Sequence, residues 1–150
     1  MANEQEHPAA LVPTGIAGLD EVLNGGLTAD CLYLVEGNPG SGKTTLAMQF
    51  LLHGAERGEA GLYVTFSETK KELARIAASH GWSLEGLQIM ELVASEEEFD
   101  PDNQYAMFQP SEAELGKTTK AILDAVEQCK PRRVVIDSIS ELRLLTAQRR

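Results

Sequence analysis

Residues 36–45 read EGNPGSGKTT. Gly37, Gly42, Lys43 and Thr44 meet the spacing G-x-x-x-x-G-K-[ST], with Asn38, Pro39, Gly40 and Ser41 between them and Thr45 behind. A nucleoside triphosphate is a cluster of negative charge, so binding it takes many donors that approach closely. Glycines let the backbone turn until successive N–H groups point inward at the phosphates. Lys43 supplies a mobile cation for the β- and γ-phosphates, and the Thr44 hydroxyl can ligate Mg²⁺. A helix beginning here adds the positive end of its dipole. Average residue frequencies produce the four fixed positions by chance in roughly one chain in two hundred of this length.

The flanks suit the motif. CLYLVEG (31–37) is a short apolar run ending in glycine, which predicts a buried strand. Leu46, Ala47, Phe50, Leu51 and Ala55 fall on one face of a helix over 43–57, with Gly58 as its C-cap. Upstream, TGIAGLDEVLNGGL (14–27) has the spacing of a short amphipathic helix stopped by Gly25-Gly26, and the polar residues 1–13 read as a loose arm. Downstream, GLYVTF (61–66), LQIMELV (87–93) and RRVVID (132–137) predict strands. Between them, Thr69 and Glu72 form a capping box for a helix ending near Gly81, and SEAE (111–114) starts another that runs to Cys129. Residues 94–110 read as a long acidic loop with an apolar island at Tyr105, Met107 and Phe108, and 138–150 as a loop or a helical start. Alternating strand and helix predicts an α/β fold, a parallel sheet with helices on both faces.

Composition narrows the class. The chain has 150 residues, about one domain, and 43% hydrophobic residues, enough for a core. A net charge of -10 opposes general attraction to DNA. No signal pattern and no long apolar run is visible, which predicts a cytoplasmic protein off the membrane. Cys31 and Cys129 lack metal-ligand spacing and read as reduced, buried small hydrophobes. His7, His53 and His80 share no ligand spacing with other donors, Trp82 reads as packing a helix end against the sheet, and Glu96–Glu98 reads as a solvated face.

A phosphate site needs a second member, a carboxylate at the end of a buried strand. Asp137 closes RRVVID, where it can orient the waters of Mg²⁺. With this in place, three stretches carry a resemblance: TGIAGLDEVLNGGL before the loop, YVTFSET (63–69) and VVIDSISEL (134–142). The chain resembles the KaiC-like branch of the RecA superfamily of P-loop ATPases over residues 14–145. The resemblance implies a RecA-type core over 14–150, with ATP bound between subunits of a homo-oligomeric ring, often a hexamer. It implies a signalling protein as partner, a supporting role for Ser138 at the magnesium site, with a turn-forming serine as the alternative, and a subunit contact for Tyr105, Met107 and Phe108, with packing back on their own domain as the alternative. It also implies that the strand following Asp137 inserts between that aspartate's strand and the phosphate-loop strand. Only thirteen residues follow Asp137, so the domain is expected to be incomplete, with 31–36 and 132–137 unpaired with each other.

RecA-type ATPases place a glutamate just past the second strand to activate water, and KaiC-like members often have two in a row. Here Ser67-Glu68 follows YVTF, and an ungapped match puts Ser67 on the first glutamate. Glu68 would point the wrong way on a continuing strand. Because Thr69 caps the next helix, the chain is expected to turn at 67–68, which brings Glu68 over the phosphate as general base. The alternative is that Glu68 is only an acid beside a helix start. Lys43 and Glu68 are thus the candidate catalytic residues. Four activities fit these parts: an ATPase driving conformational switching, a serine/threonine kinase of KaiC type, an ATP-gated scaffold with little turnover and, against the charge balance, a DNA recombinase.

Overall fold

The computed structural model describes residues 10–92 and 112–140. A small antiparallel ribbon pairs β1 (Leu11–Val12) with β2 (Leu27–Thr28) around α1 (Ala17–Val22). The expectation of a loose arm therefore does not extend to Leu11 and Val12. Asp20 fixes the turn before α1. Its Oδ1 accepts from Thr14 N and Thr14 Oγ1, both at 2.7 Å, and its Oδ2 accepts from Gly15 N at 3.1 Å. Burial alone would raise the Asp20 carboxyl, but these bonds outweigh it and hold the group below its ordinary range.

The main sheet is parallel, in the order β4 (Gln88–Glu91), β3 (Gly61–Thr65), β5 (Arg133–Asp137). All five residues of β3 are buried, as a central strand covered on both faces requires. Tyr63 points to one face, where it joins Met48 and Leu51 of α2 (Lys43–Glu56) and Leu73 and Ala77 of α3 (Lys70–Ser79) in the core. Leu62 and Val64 point to the other, where α4 (Glu112–Cys129) lies against β3. Each large apolar side chain buried this way contributes about 2 kcal/mol. The Thr69 capping box forms in full: Glu72 N donates to Thr69 Oγ1, and Thr69 N donates to Glu72 Oε2 at 2.8 Å. Trp82 packs on this core after its helix ends and stacks on His80 with 4.7 Å between ring centres.

One strand expectation fails. Residues 31–37 join no sheet and are exposed, Leu32 to 92%. A buried strand needs a hydrogen-bonded neighbour. Among the described residues β5 pairs only with β3, and 31–36 do not pair with it. The same misplacement leaves Cys31 exposed, against the expectation of a buried thiol, while Cys129 is half-buried; both are free thiols. Ser111, the 94–110 loop with its apolar island and Glu96–Glu98, His7 and the stretch beyond Ser140 lie outside the described residues.

Arg133, at the start of β5, is a charged side chain only 1% exposed. Nε donates to Glu59 Oε2 at 2.6 Å, and Nη1 donates to the carbonyls of Pro13 and Phe50, each at 2.8 Å. The guanidinium also lies 4.7 Å from the Phe50 ring centre. Gly54 makes room: a Cβ there would sit 2.6 Å from Arg133 Cδ. Nη2 is the one buried side-chain polar atom without a partner among the described residues.

The Arg133 hydrogen bond and charge hold the Glu59 carboxyl below its ordinary range. A carboxyl with a lowered folded pKa adds stability that is complete above its unfolded value, about 4.3, and is lost as pH falls through the folded value. Glu59→Gln is expected to lower stability by about 2 kcal/mol near neutral pH, because a buried guanidinium loses its counter-charge. In urea denaturation the gap between parent and variant should narrow below about pH 4.3. A gap that stays constant into acid would show that the charge is not the cause.

Candidate phosphate-loop site

The loop folds as a tight turn that hands over to α2. Ser41 N donates to Asn38 O at 3.1 Å, and Pro39-Gly40 form the turn. Gly42 is the N-cap of α2 with φ +88°, the left-handed region that an L side chain rarely enters. At Gly37 a Cβ would lie 2.5 Å from Ser41 Oγ, so the loop closes where a side chain would sit. No side chain caps α2, so its first-turn amides keep their donors for another acceptor. Lys43 Nζ lies over the loop and donates to the carbonyls of Gly37 at 2.9 Å and Asn38 at 3.1 Å.

The parallel register brings the second half of the site to the start of α2. Asp137 is level with Thr65 at the C-terminal end of β5. Its Oδ2 accepts from Thr44 Oγ1 at 2.8 Å and from Tyr63 Oη at 2.6 Å. Thr44 and Asp137 are 93 positions apart in the chain and meet here. A hydroxyl and a carboxylate are hard oxygen donors of the kind Mg²⁺ prefers, so this pair fits the metal. Ser138, expected to support it, makes no hydrogen bond to Thr44 or Asp137.

Tyr63 was absent from the candidate residues. Burial first, then the Asp137 bond and charge, then the Glu68 charge, push its phenol well above its ordinary range and keep it a donor. The signal was present: a phenol inside a buried apolar strand needs a partner for its O–H.

The chain turns after β3 as expected. Glu68 N donates to Thr65 Oγ1 at 3.0 Å, and Thr65 Oγ1 donates to Glu68 O at 2.9 Å. Phe66 N still donates to Asp137 O at 2.9 Å, and the chain leaves the strand line after it, at Ser67. Glu68 ends half-buried, with its charge acting on the Tyr63 phenol, and Ser67 Oγ donates to Glu68 Oε2 at 2.6 Å. The structure therefore gathers Thr44, Asp137 and Tyr63 directly; Lys43 Nζ stays on the loop carbonyls, and Glu68 bonds Ser67 while its charge adds to the rise of the Tyr63 phenol. His53 lies apart, 3.8 Å from Glu56 Oε2.

Comparison with known proteins fits this geometry. The family described as ATPase: KaiC matches residues 12–150. The chain belongs to the KaiC ATPase family. It is 39% identical over 134 residues to a circadian clock oscillator protein KaiC of Prochlorococcus marinus subsp. pastoris, covering 86% of this chain and 25% of that relative. It is 33% identical over 138 residues to a UPF0273 protein of Methanopyrus kandleri, covering 87% of this chain and 54% of that relative. The chain thus spans between a quarter and about half of the curated relatives it matches. No helix among the described residues is long and apolar enough to cross a membrane.

The Thr44–Asp137 bond is testable without ligand. Thr44→Val, which keeps the shape and removes the donor, is expected to lower stability by about 1–2 kcal/mol, and Thr44→Ser by much less. A double-mutant cycle with Asp137→Asn, read by urea denaturation, should give a coupling of about 1 kcal/mol. Additive effects would mean that the contact carries no energy.

Proposed function

We propose that this KaiC-family chain binds ATP together with Mg²⁺ and hydrolyses it, and that hydrolysis drives conformational switching in a cytoplasmic homo-oligomer. The observation that carries this reading is the Thr44–Asp137 contact, which brings the phosphate-loop hydroxyl and a strand-end carboxylate within 2.8 Å. A glycine-rich turn with an incidental surface lysine has no reason to make it. Ring assembly, with a signalling protein as partner, rests on family membership and extends the same reading.

The residues divide the work. The backbone N–H groups of Gly40, Gly42 and the first turn of α2 would face the phosphates; Pro39 has none, and Ser41 N donates to Asn38 O. Lys43 gives up two neutral carbonyl acceptors for charged phosphate oxygens, which make stronger hydrogen bonds. Thr44 and Asp137 would hold Mg²⁺, which neutralises charge on the phosphates when bound. Glu68 orients the attacking water and takes its proton. Ser67 Oγ steadies the Glu68 carboxylate, but a hydroxyl is too weak a base to replace the first glutamate of the family pair, so turnover is slow.

Lys43→Ala is expected to weaken Mg·ATP binding about ten- to a hundredfold by calorimetry on the assembled protein, since a charge-assisted bond is lost. Unchanged affinity would sink the phosphate-loop assignment. Glu68→Gln is expected to slow hydrolysis by about a hundredfold or more while ATP affinity holds. A variant as fast as its parent removes Glu68 from the role. Ser67→Glu is expected to raise the rate; a sharp rise would make the parent an ATP-binding switch rather than an efficient ATPase.

A further inference from the structure

We propose that Tyr63 is a positioning residue for the metal site: its hydroxyl holds the Asp137 carboxylate in place to receive Mg²⁺. The inference rests on the Mg·ATP reading above and adds a residue to it. Tyr63 is level with Val135 in the β3–β5 register, two residues before the Thr65–Asp137 pair. Two residues of strand rise about 6.6 Å, and alternation puts Tyr63 and Asp137 on the same face. The phenol spans that interval and reaches Asp137 Oδ2 at 2.6 Å. Its ring is wedged among Met48, Leu51, Leu73 and Ala77, with 1% of the residue exposed. The donor is therefore rigid, held by α2 and α3 as well as by the sheet.

Asp137 needs such a support because of its place. It closes β5, which pairs on one side only among the described residues, and the two residues after it start a new turn. A carboxylate at a strand end can adopt several rotamers. Thr44 alone would hold it from the helix side, but the Thr44 oxygen is itself a candidate metal ligand. Tyr63 binds the same Oδ2 from beneath, from the core, and its hydroxyl is no ligand candidate. The carboxylate is thus set by a group that does not have to move when the metal arrives. Outer partners of metal-orienting groups act in this way, and losing one typically weakens metal affinity by about ten- to a hundredfold.

Tyr63→Phe deletes the hydroxyl and keeps the ring in the core. The test follows binding of a fluorescent ATP analogue to the assembled protein, first as Mg²⁺ is titrated at fixed nucleotide, then as nucleotide is titrated at saturating Mg²⁺. The Mg²⁺ midpoint is expected to rise about tenfold, with nucleotide affinity at saturating Mg²⁺ within about twofold. Thermal unfolding of the variant checks the core. A midpoint that does not move, while the parent binds Mg·ATP, overturns the positioning role alone. A parent that binds no nucleotide overturns the functional reading and this inference together. A variant that loses nucleotide affinity at saturating Mg²⁺ in step with its thermal stability shows a packing role and also overturns it. In the parent itself, ¹³C-labelled tyrosine spectra should show the Tyr63 ring-oxygen carbon shifting when Mg²⁺ is added to the nucleotide complex. An unmoved Tyr63 resonance overturns the inference even where the variant does not fold.

Discussion

Asp137 Oδ2 is the point on which the site depends. It accepts hydrogen bonds from the first turn of α2 and from the middle of β3, while belonging to β5. Three elements therefore meet on one oxygen. The meeting requires the parallel register that sets Asp137 level with Thr65, because a one-residue slip would turn Asp137 to the opposite face. That register is in turn enforced by burial. Tyr63 and Val135 face the core beneath α2, and Leu62 and Val64 face the other way. The apolar pattern of two strands thus places one carboxylate.

A second polar contact holds the other end of the same pair of elements. Arg133 starts β5 and reaches the Phe50 carbonyl and the space left by Gly54, both in the second half of α2. Thr44, in the first turn of α2, reaches the far end of β5. The helix is consequently pinned to one strand at both ends, antiparallel to it, with Met48 and Leu51 packed between the pins. Arg133 also ties in the Pro13 carbonyl and Glu59, so the N-terminal ribbon and the turn after α2 share the lower anchor. A tilt of α2 that moved Thr44 away from Asp137 would pivot on that anchor.

Much of this was legible because local chemistry declares itself. The loop from Gly37 to Thr45 has a spacing with one physical reading, Thr69 and Glu72 are three apart for a capping box, and Asp137 ends an apolar run. The failures were non-local. CLYLVEG has strand composition, yet a strand forms only where a neighbour can pair with it; the expectation drawn from the resemblance, that 31–36 and 132–137 stand unpaired, agrees with the structure, while the strand expected from composition does not form. Cys31 was misplaced with it. Arg133 stood inside RRVVID with nothing to distinguish it from its exposed neighbour Arg132, since burial of a guanidinium is decided by Glu59, Pro13 and Phe50, all distant in sequence. Tyr63 looked like ordinary strand filler. Only the register shows that its hydroxyl and Asp137 share a face.

The electrostatics of the site decide in what form an anion can enter. Asp137 and Glu68 both raise the Tyr63 phenol, Asp137 through a direct hydrogen bond and Glu68 through its charge. The whole chain carries a net charge of -10. Against this stand one mobile cation, Lys43, and the dipole of α2, worth roughly half a charge. A bare polyphosphate would bring further negative charge to a region already in deficit of cations. The oxygens of Thr44 and Asp137 are hard donors that could hold a divalent ion to offset that charge. On the proposed function, nucleotide and metal would enter as a single ligand of this site: the loop would supply donors for the phosphates, and the β5 carboxylate, held by Thr44 and Tyr63, would help hold the cation that offsets their charge.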